Sequence, residues 1–450
     1  MTTSWALALI PMMLLFIASI MVRLHSGTWL KPGAYFSLVV MLYFLLPLIF
    51  APNYYIWPGA MWWILVSVIA FLSGSMLLTY KHESKSFNHN YVSSPSISID
   101  SENSKDELLG IHYFPGISLV LIFSIILGTL SPILLLLFYG KSVGVFLSLQ
   151  GITNVGSEFS ALRYSGQYNP NLLIQVLLTF TYVSPILGGI LMALKENKKQ
   201  LALSLLSFLP SLLLFLTLAA RAGIVISFAL FISGYFASQV LVGKSSNYRL
   251  FSRNRLPVFL ALLLILLIVY SFGDVAREGQ VPNITAMSET AISPRANVYM
   301  FGYVPAFSGW FQRAWDVNEK PTFGVYTFGG IYELLGLRKQ ENPPREFIDI
   351  STGRSTNIYT TFRDFIDDFS FAGSLLFLFV FGLIAGITYF KVGNGSFMFM
   401  PLLIAVYAFM SWQETTIFKY RTIIVAFLVV QAYFIAIRIY QRRVERQHES

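Results

Sequence analysis

Arginine carries most of the chemistry that the residue types of this chain allow. A guanidinium keeps its charge at any ordinary pH and grips phosphate oxygens through two parallel donors. Arg221 breaks an apolar hairpin in the run TLAARAGI, with no Asp or Glu within about twenty positions on either side. An arginine at that depth is expensive to leave unpaired, so a ligand phosphate or a distant carboxylate must compensate it. Arg354 and Arg363 lie in GRSTNIYTTFRDFIDDFSFAGS. If that stretch is helical, Tyr359 and Arg363 are four apart and share a face. Asp364, Asp367 and Asp368 crowd the same turn, so a salt-bridged cap competes with a ligand site there. Arg421 follows Lys419 in WQETTIFKYR, a short turn that also supplies Glu414. Arg163, Arg277, Arg295, Arg313, Arg338 and Arg345 are spread over neighbouring polar segments, where pairing with carboxylates of the same segments is the plain alternative for each.

The absences narrow the chemistry further. With no cysteine there is neither a disulfide nor a thiolate metal site. The histidines (His25, His82, His89, His112 and His448) fall on or beside the segments richest in lysine, away from the arginine-bearing loops. No phosphate-binding loop or dinucleotide fingerprint occurs. A site built among these arginines would work without histidine, cysteine, a transition metal or any other cofactor.

The elements that must position these side chains are membrane helices. Of 450 residues, 55% are hydrophobic and 12% charged, with a mean hydropathy of +0.64, about half the charge of a soluble domain. Several stretches run uncharged for the ~18 or more residues that a membrane helix needs, and only helices pair their own backbone in lipid. The pattern predicts an all-α polytopic integral membrane protein with eleven spans, near 5–22, 34–50, 60–80, 114–139, 171–193, 201–219, 222–242, 256–273, 371–390, 397–413 and 421–439. The start, Met1 to Trp5, has no basic residue ahead of its apolar run and reads as part of a true span. The apolar run 201–242 is too long for one crossing, which places Arg221 at a turn. No ionisable side chain sits well inside a span, which disfavours an ion-coupled carrier.

Three parts follow: a membrane domain over 1–273 with a polar, Ser-rich linker at 81–112; a long loop at 274–370; and spans nine to eleven with a basic tail over 371–450. A second polar segment, 140–170, is amphipathic through Val143, Val145, Phe146, Leu147 and Leu149 and suits the membrane interface. The net charge of +9 falls on one set of short connections and on the tail, which the positive-inside rule makes cytoplasmic. The loop 274–370 is then on the opposite face. The basic balance reports topology and gives no reason to invoke nucleic acid. Residues 274–370 mix Trp310, Trp315, Phe307, Tyr326 and Tyr332 with charges, a composition able to fold, and long ordered loops of this kind usually serve function.

At these residues the sequence resembles a known family. Thr356-Asn357-Ile358-Tyr359-Thr360-Thr361-Phe362-Arg363-Asp364-Phe365, followed by Asp368-Phe369 and Gly373-Ser374, is similar to the pre-membrane signature of Wzy-type O-antigen polymerases, the oligosaccharide repeat unit polymerases, except that Ser370 stands where glycine is usual. Ala220-Arg221-Ala222-Gly223 resembles the family's short arginine element, and TFGGIYELLGL (327–337) is also similar. The resemblance covers the span layout and about sixty residues of motif.

The resemblance implies a membrane glycosyltransferase of the lipid-donor type (class C-like) in a bacterial cytoplasmic membrane, with the long loop periplasmic. It would be independent of metal and cofactor. Its donor and acceptor would be undecaprenyl-diphosphate-linked oligosaccharides, with a chain-length regulator as an optional protein partner. By motif position it gives Arg221, Arg354 and Arg363 the diphosphate-binding role and places Asn357 and Tyr359 beside them. By loop position alone it adds Arg277 and Arg421, and Arg163 is a further substrate-binding candidate among the loop arginines. A base, if one is used, is open among Asp364, Glu414, Glu278 and Tyr359. Two other functions fit a similar layout. An O-antigen ligase is expected to carry a histidine in its large loop, and 274–370 has none. A lipid-linked glycan flippase is expected to show two related halves, which the sequence lacks.

Overall fold

The structure, a computed structural model, describes residues 2–86, 114, 116–194, 197–243, 256–277, 294–315, 320–337 and 345–449. Most of the predicted linker 81–112 lies outside them. The first helices are α1 (Thr2–Ser26), α2 (Pro32–Phe50) and α3 (Pro58–Ser86). The two that open on proline do so where its missing N–H costs nothing. Next come α4 (Ile117–Phe138), α5 (Leu149–Tyr164) and α6 (Leu172–Leu194). The long apolar hairpin resolves into α7 (Lys198–Leu206), α8 (Leu209–Leu218) and α9 (Arg221–Leu241). The break before Arg221 falls where it was expected, and Ala219 makes it by adopting a left-handed backbone, φ 47°. A second break, between Leu206 and Leu209, has no counterpart in the hydropathy pattern.

The chain continues through α10 (Leu256–Arg277), α11 (Pro294–Phe301), α12 (Tyr303–Ala314) and α13 (Gly329–Leu334). Strands β1 (Ile348–Ser351) and β2 (Arg354–Thr356) form a short antiparallel hairpin in an otherwise helical protein. Gly353 closes it at φ 70°. The last helices are α14 (Thr361–Gly393), α15 (Met400–Ser411) and α16 (Arg421–Glu449).

Among the described residues, nine helices are long and apolar enough to cross a membrane, as a multi-pass membrane protein requires. The predicted span 397–413 is different. Its helix α15 has 12 residues, short of the ~20 that hydrocarbon demands. It is instead a core element, with Met400, Leu403, Ile404, Val406, Tyr407, Ala408 and Met410 all fully buried. Tyr407 donates its hydroxyl to the Leu30 carbonyl, and Tyr35 and Ser411 share a 2.7 Å hydrogen bond.

The chain divides into two compact units, one from Met1–Leu109, Gln239–Leu250 and Asn297–Arg421, the other from Gly110–Ser238, Phe251–Ala296 and Thr422–Ser450. Each is knit by a crossing with glycine at the contact. In the first, a Cβ at Gly74 would come 2.0 Å from the Phe379 carbonyl oxygen, one at Gly382 2.2 Å from that of Phe71, and one at Gly386 2.6 Å from that of Ser75. Helices α3 and α14 therefore meet backbone to backbone, Gly382 and Gly386 supplying a small-xxx-small pair. In the second unit, Gly189 lies against Phe231 and Gly234 against Ile186 in the same way, joining α6 to α9. Within that unit α5 buries Ile152, Val155 and Phe159 and leaves Leu147 and Leu149 exposed ahead of and at its start.

Helix α14 is not continuous. Ser370 sits at φ 65°, ψ 176°, a conformation that is nearly exclusive to glycine and costs other residues about 1–3 kcal/mol. It separates a buried N-terminal piece bearing the acidic turn from the apolar piece that follows. Ser370→Gly should therefore stabilise the protein by about 1 kcal/mol after allowing for glycine's greater freedom when unfolded, seen as a raised unfolding midpoint in detergent. Gly382→Val should cost about 1–3 kcal/mol through overpacking at the α3 crossing, measured the same way. An unchanged midpoint would mean the two backbones do not meet there.

Candidate functional site

The start of α14 gathers charge into an apolar setting. Residues 361–366 and Asp368 are all buried, so every ionised group among them needs a partner or a desolvated donor. Three segments distant in sequence supply these. The Thr361 amide donates to the Gln413 carbonyl at 2.8 Å. The Thr415 hydroxyl donates to Asp364 Oδ2 at 3.1 Å, and that of Thr416 to the Thr327 carbonyl at 2.5 Å. Asp368 is fully buried and faces no arginine among the described residues. It accepts from the Thr322 hydroxyl at 2.5 Å and from the amides of Tyr326 at 3.0 Å and Thr327 at 2.5 Å. Its role is to hold the 322–327 turn against the helix.

Arg345 is the central cation. One Nη donates to Asp364 and the other to Asp367, while the guanidinium lies 4.5 Å from the centre of the Tyr326 ring. Its side chain is 15% exposed. Burial opposes its charge, but Asp364 and Asp367 more than offset this and raise its pKa. Arg345 belongs to the set of loop arginines, yet nothing local marks it, since its partners lie 19 and 22 positions away.

Arg363 is the second. It is 9% exposed and lies between two rings, 4.1 Å from the centre of Tyr359 and 4.8 Å from that of Trp310. Its Nε donates to Asp367 Oδ2 at 3.3 Å. Its Nη2 is 3.6 Å from Glu346 Oε1, and the same oxygen is 3.6 Å from Arg313 Nη2. The buried Nη1 of Arg363 has no hydrogen-bond partner among the described residues. The nearness of Tyr359 to Arg363 is thus real, but its predicted cause is not. Tyr359 precedes the helix, two residues before its start at Thr361, and meets Arg363 from outside it. Its hydroxyl donates to the Glu346 carbonyl at 2.9 Å. Burial pushes that hydroxyl's pKa up, against the pull of Arg363, so Tyr359 acts as a donor and is a poor choice for a base. Asp364, also proposed as a base, is engaged by Arg345 and Thr415.

The other predicted residues are placed as follows. Arg354 is partly exposed on β2 and, among the described residues, takes no part in the ion cluster. Asn357 follows it, partly buried in the connection to α14. Glu414 is partly buried in the segment that binds α14. Its charge adds to burial in raising the pKa of Tyr303, whose hydroxyl donates to the Tyr43 carbonyl at 2.9 Å. Arg421, partly exposed, opens α16.

Arg221 belongs to the second unit, where it opens α9 at 6% exposure. Its stem packs beside Gly273, where an added Cβ would come 3.0 Å from Arg221 Cγ and 2.9 Å from the Phe215 ring. Arg163 stands exposed in the last turn of α5. The side chain of Arg277 and the whole of Glu278 lie outside the described residues.

The groups that sequence reasoning missed are Glu346, Trp310 and Thr415, none of which lies within the motif. Only the aromatic richness of 274–370 hinted at Trp310. Among the described residues no cluster of histidine, aspartate and glutamate is placed to hold a metal ion.

Removing the central cation should be costly. Arg345→Met leaves two buried carboxylates facing one another and should destabilise the protein by about 3–5 kcal/mol. Adding Asp364→Asn should recover part of that loss, because it removes one of the stranded charges. Full additivity of the two changes in a detergent unfolding series would show that the pair is not coupled.

No protein-family model matches the chain, and no curated protein or solved structure is significantly similar to it.

Proposed function

We propose that the protein is a membrane glycosyltransferase that joins undecaprenyl-diphosphate-linked oligosaccharide repeat units into a surface polysaccharide, working at the periplasmic face of a bacterial cytoplasmic membrane. The observation that carries this is Arg363: nine-tenths buried, held between Trp310 and Tyr359, and with one Nη turned to no described acceptor. A guanidinium fixed in this way by aromatic stacking keeps donor capacity for an incoming anion. Its place in the chain supports the same reading, since Arg363 falls in the segment that resembles the polymerase signature. The backbone supports it again: Ser370 occupies a conformation that favours glycine, the residue usual at that point of the signature.

In the proposed reaction a hydroxyl of the acceptor sugar attacks the anomeric carbon of the donor glycan. The new C–O bond forms as the bond from that carbon to the diphosphate oxygen breaks, and the lipid diphosphate leaves with the electron pair. Charge grows on the departing oxygen, where fixed guanidinium donors lower the barrier most. Arg363 fills that role in the first unit, and Arg221, the buried arginine of the second, is the other candidate. The hydroxyl proton needs an acceptor. Of the bases that the sequence leaves open we take Glu414 for it, in the segment that binds the start of α14.

The test is direct. Purified protein in detergent, given a defined undecaprenyl-diphosphate repeat unit, should yield a ladder of lengthening products. Arg363→Lys, chosen to keep the buried charge, should cut the rate about 100-fold or more, the scale for loss of one oxyanion donor, and Arg221→Ala should act similarly. Wild-type ladders from both variants would remove the arginines from the mechanism. Transfer of finished chains to a lipid core, with no ladder, would point to a ligase.

A further inference from the structure

The Glu346 carboxylate has an unusual position. Its Oε1 lies 3.6 Å from Arg363 Nη2 and 3.6 Å from Arg313 Nη2, beyond hydrogen-bonding distance of either. One oxygen between two guanidiniums marks where an anion is attracted, and the long distances show that a carboxylate on this backbone does not fill the place well. The backbone there is fixed by the Tyr359 hydroxyl on the Glu346 carbonyl, whereas the carboxylate side chain is 50% exposed and can swing away. The side chain of Arg313 is 58% exposed and that of Arg363 only 11%. The site therefore has a buried inner wall and an exposed rim. The inner wall also carries the Nη1 of Arg363, buried and without a described partner.

We propose that Arg313 and Arg363 form a two-guanidinium site for a diphosphate group and that the Glu346 carboxylate occupies it as a displaceable internal anion. This rests on the reading of Arg363 given above and extends it. Arg313 becomes a ligand residue, and Glu346 sets the threshold for occupancy by competing with the incoming group. The more highly charged diphosphate displaces the carboxylate because it meets both guanidiniums at hydrogen-bonding distance, which Glu346 does not. With the rim carboxylate gone, the charge on Arg313 is released to the ligand. The inner guanidinium stays in place because Trp310, Tyr359 and Asp367 hold it.

Calorimetric titration of the purified full-length protein in detergent tests this, with inorganic pyrophosphate and farnesyl diphosphate as probes. Glu346→Gln should tighten binding of both by about fivefold, and Arg313→Ala should weaken both by about tenfold, in keeping with the loss of one charge-assisted contact. Both positions are half exposed, so the variants should keep the wild-type unfolding midpoint. Much tighter binding of farnesyl diphosphate than of pyrophosphate would make a lipid carrier the source of the group. Equal binding would make it a soluble diphosphate, and either supports the site. Unchanged or weaker binding by Glu346→Gln, or wild-type binding by Arg313→Ala, would overturn it. No sugar enters this experiment. Diphosphate binding that responds to Glu346 without any product ladder would sink the polymerase alone, and a normal ladder with binding that ignores Glu346 would sink the internal anion alone.

Discussion

One guanidinium between two carboxylates of a single helical turn holds the polar end of the first unit together. Arg345 reaches Asp364 and Asp367 from a segment about twenty residues upstream, and without it the first turn of α14 would carry adjacent buried negative charges with too few partners. Such a group is costly to assemble and costlier to leave incomplete. Its presence therefore fixes several things at once: the path of the chain from 345 into the hairpin, the seat of Tyr359 beneath Arg363, and the approach of Thr415. Asp368 does the same for the 322–327 turn through three hydrogen-bond donors. Three acidic residues of one helix thus hold two different loops, by two different kinds of bond.

The frame beneath this cluster follows membrane rules. Helices in lipid gain little by hiding apolar surface from one another, so they associate where backbones approach closely. Gly74, Gly382 and Gly386 give α3 and α14 that closeness, and a stack of aromatic rings completes the packing. Phe381 and Phe409 lie 4.3 Å apart between centres, Phe369 and Phe377 4.9 Å, and Phe409 and Phe418 5.6 Å. The polar end of α14 is built on this rigid stem, and the kink at Ser370 is the joint that turns one into the other. A strained backbone at such a joint is maintained only because packing on both sides determines it.

The cluster sorts its two inner arginines into different tasks. Arg345 has a carboxylate on each side and is spent on structure. Arg363 shares Asp367 with it, stands off Glu346, and is steadied mainly by aromatic faces. Stacking fixes a guanidinium without consuming its donors, which is what a pre-organised anion site requires. Arg221 reaches a comparable burial by another route, at the head of a helix and with its stem beside a glycine.

Much of this was legible in the residues. Low charge and long apolar runs determined a polytopic helical membrane protein. The length of 201–242 forced the break at Arg221, and the motif around Arg363 marked the region where Tyr359, Arg363 and Asp364 do lie together. Those inferences rest on local quantities: hydrophobic length, spacing within a few residues, and charge type. The tertiary structure alone decided that 397–413 is a buried 12-residue helix, because apolar composition does not distinguish lipid from protein as the surroundings. It also decided that Tyr359 meets Arg363 from outside the helix, that Arg345 is the partner of the acidic turn, and that Glu346 stands between Arg313 and Arg363. Ion pairing among many similar charges is a choice of partner made in three dimensions, and the order of residues along a chain does not record which cation a fold will bring to which carboxylate.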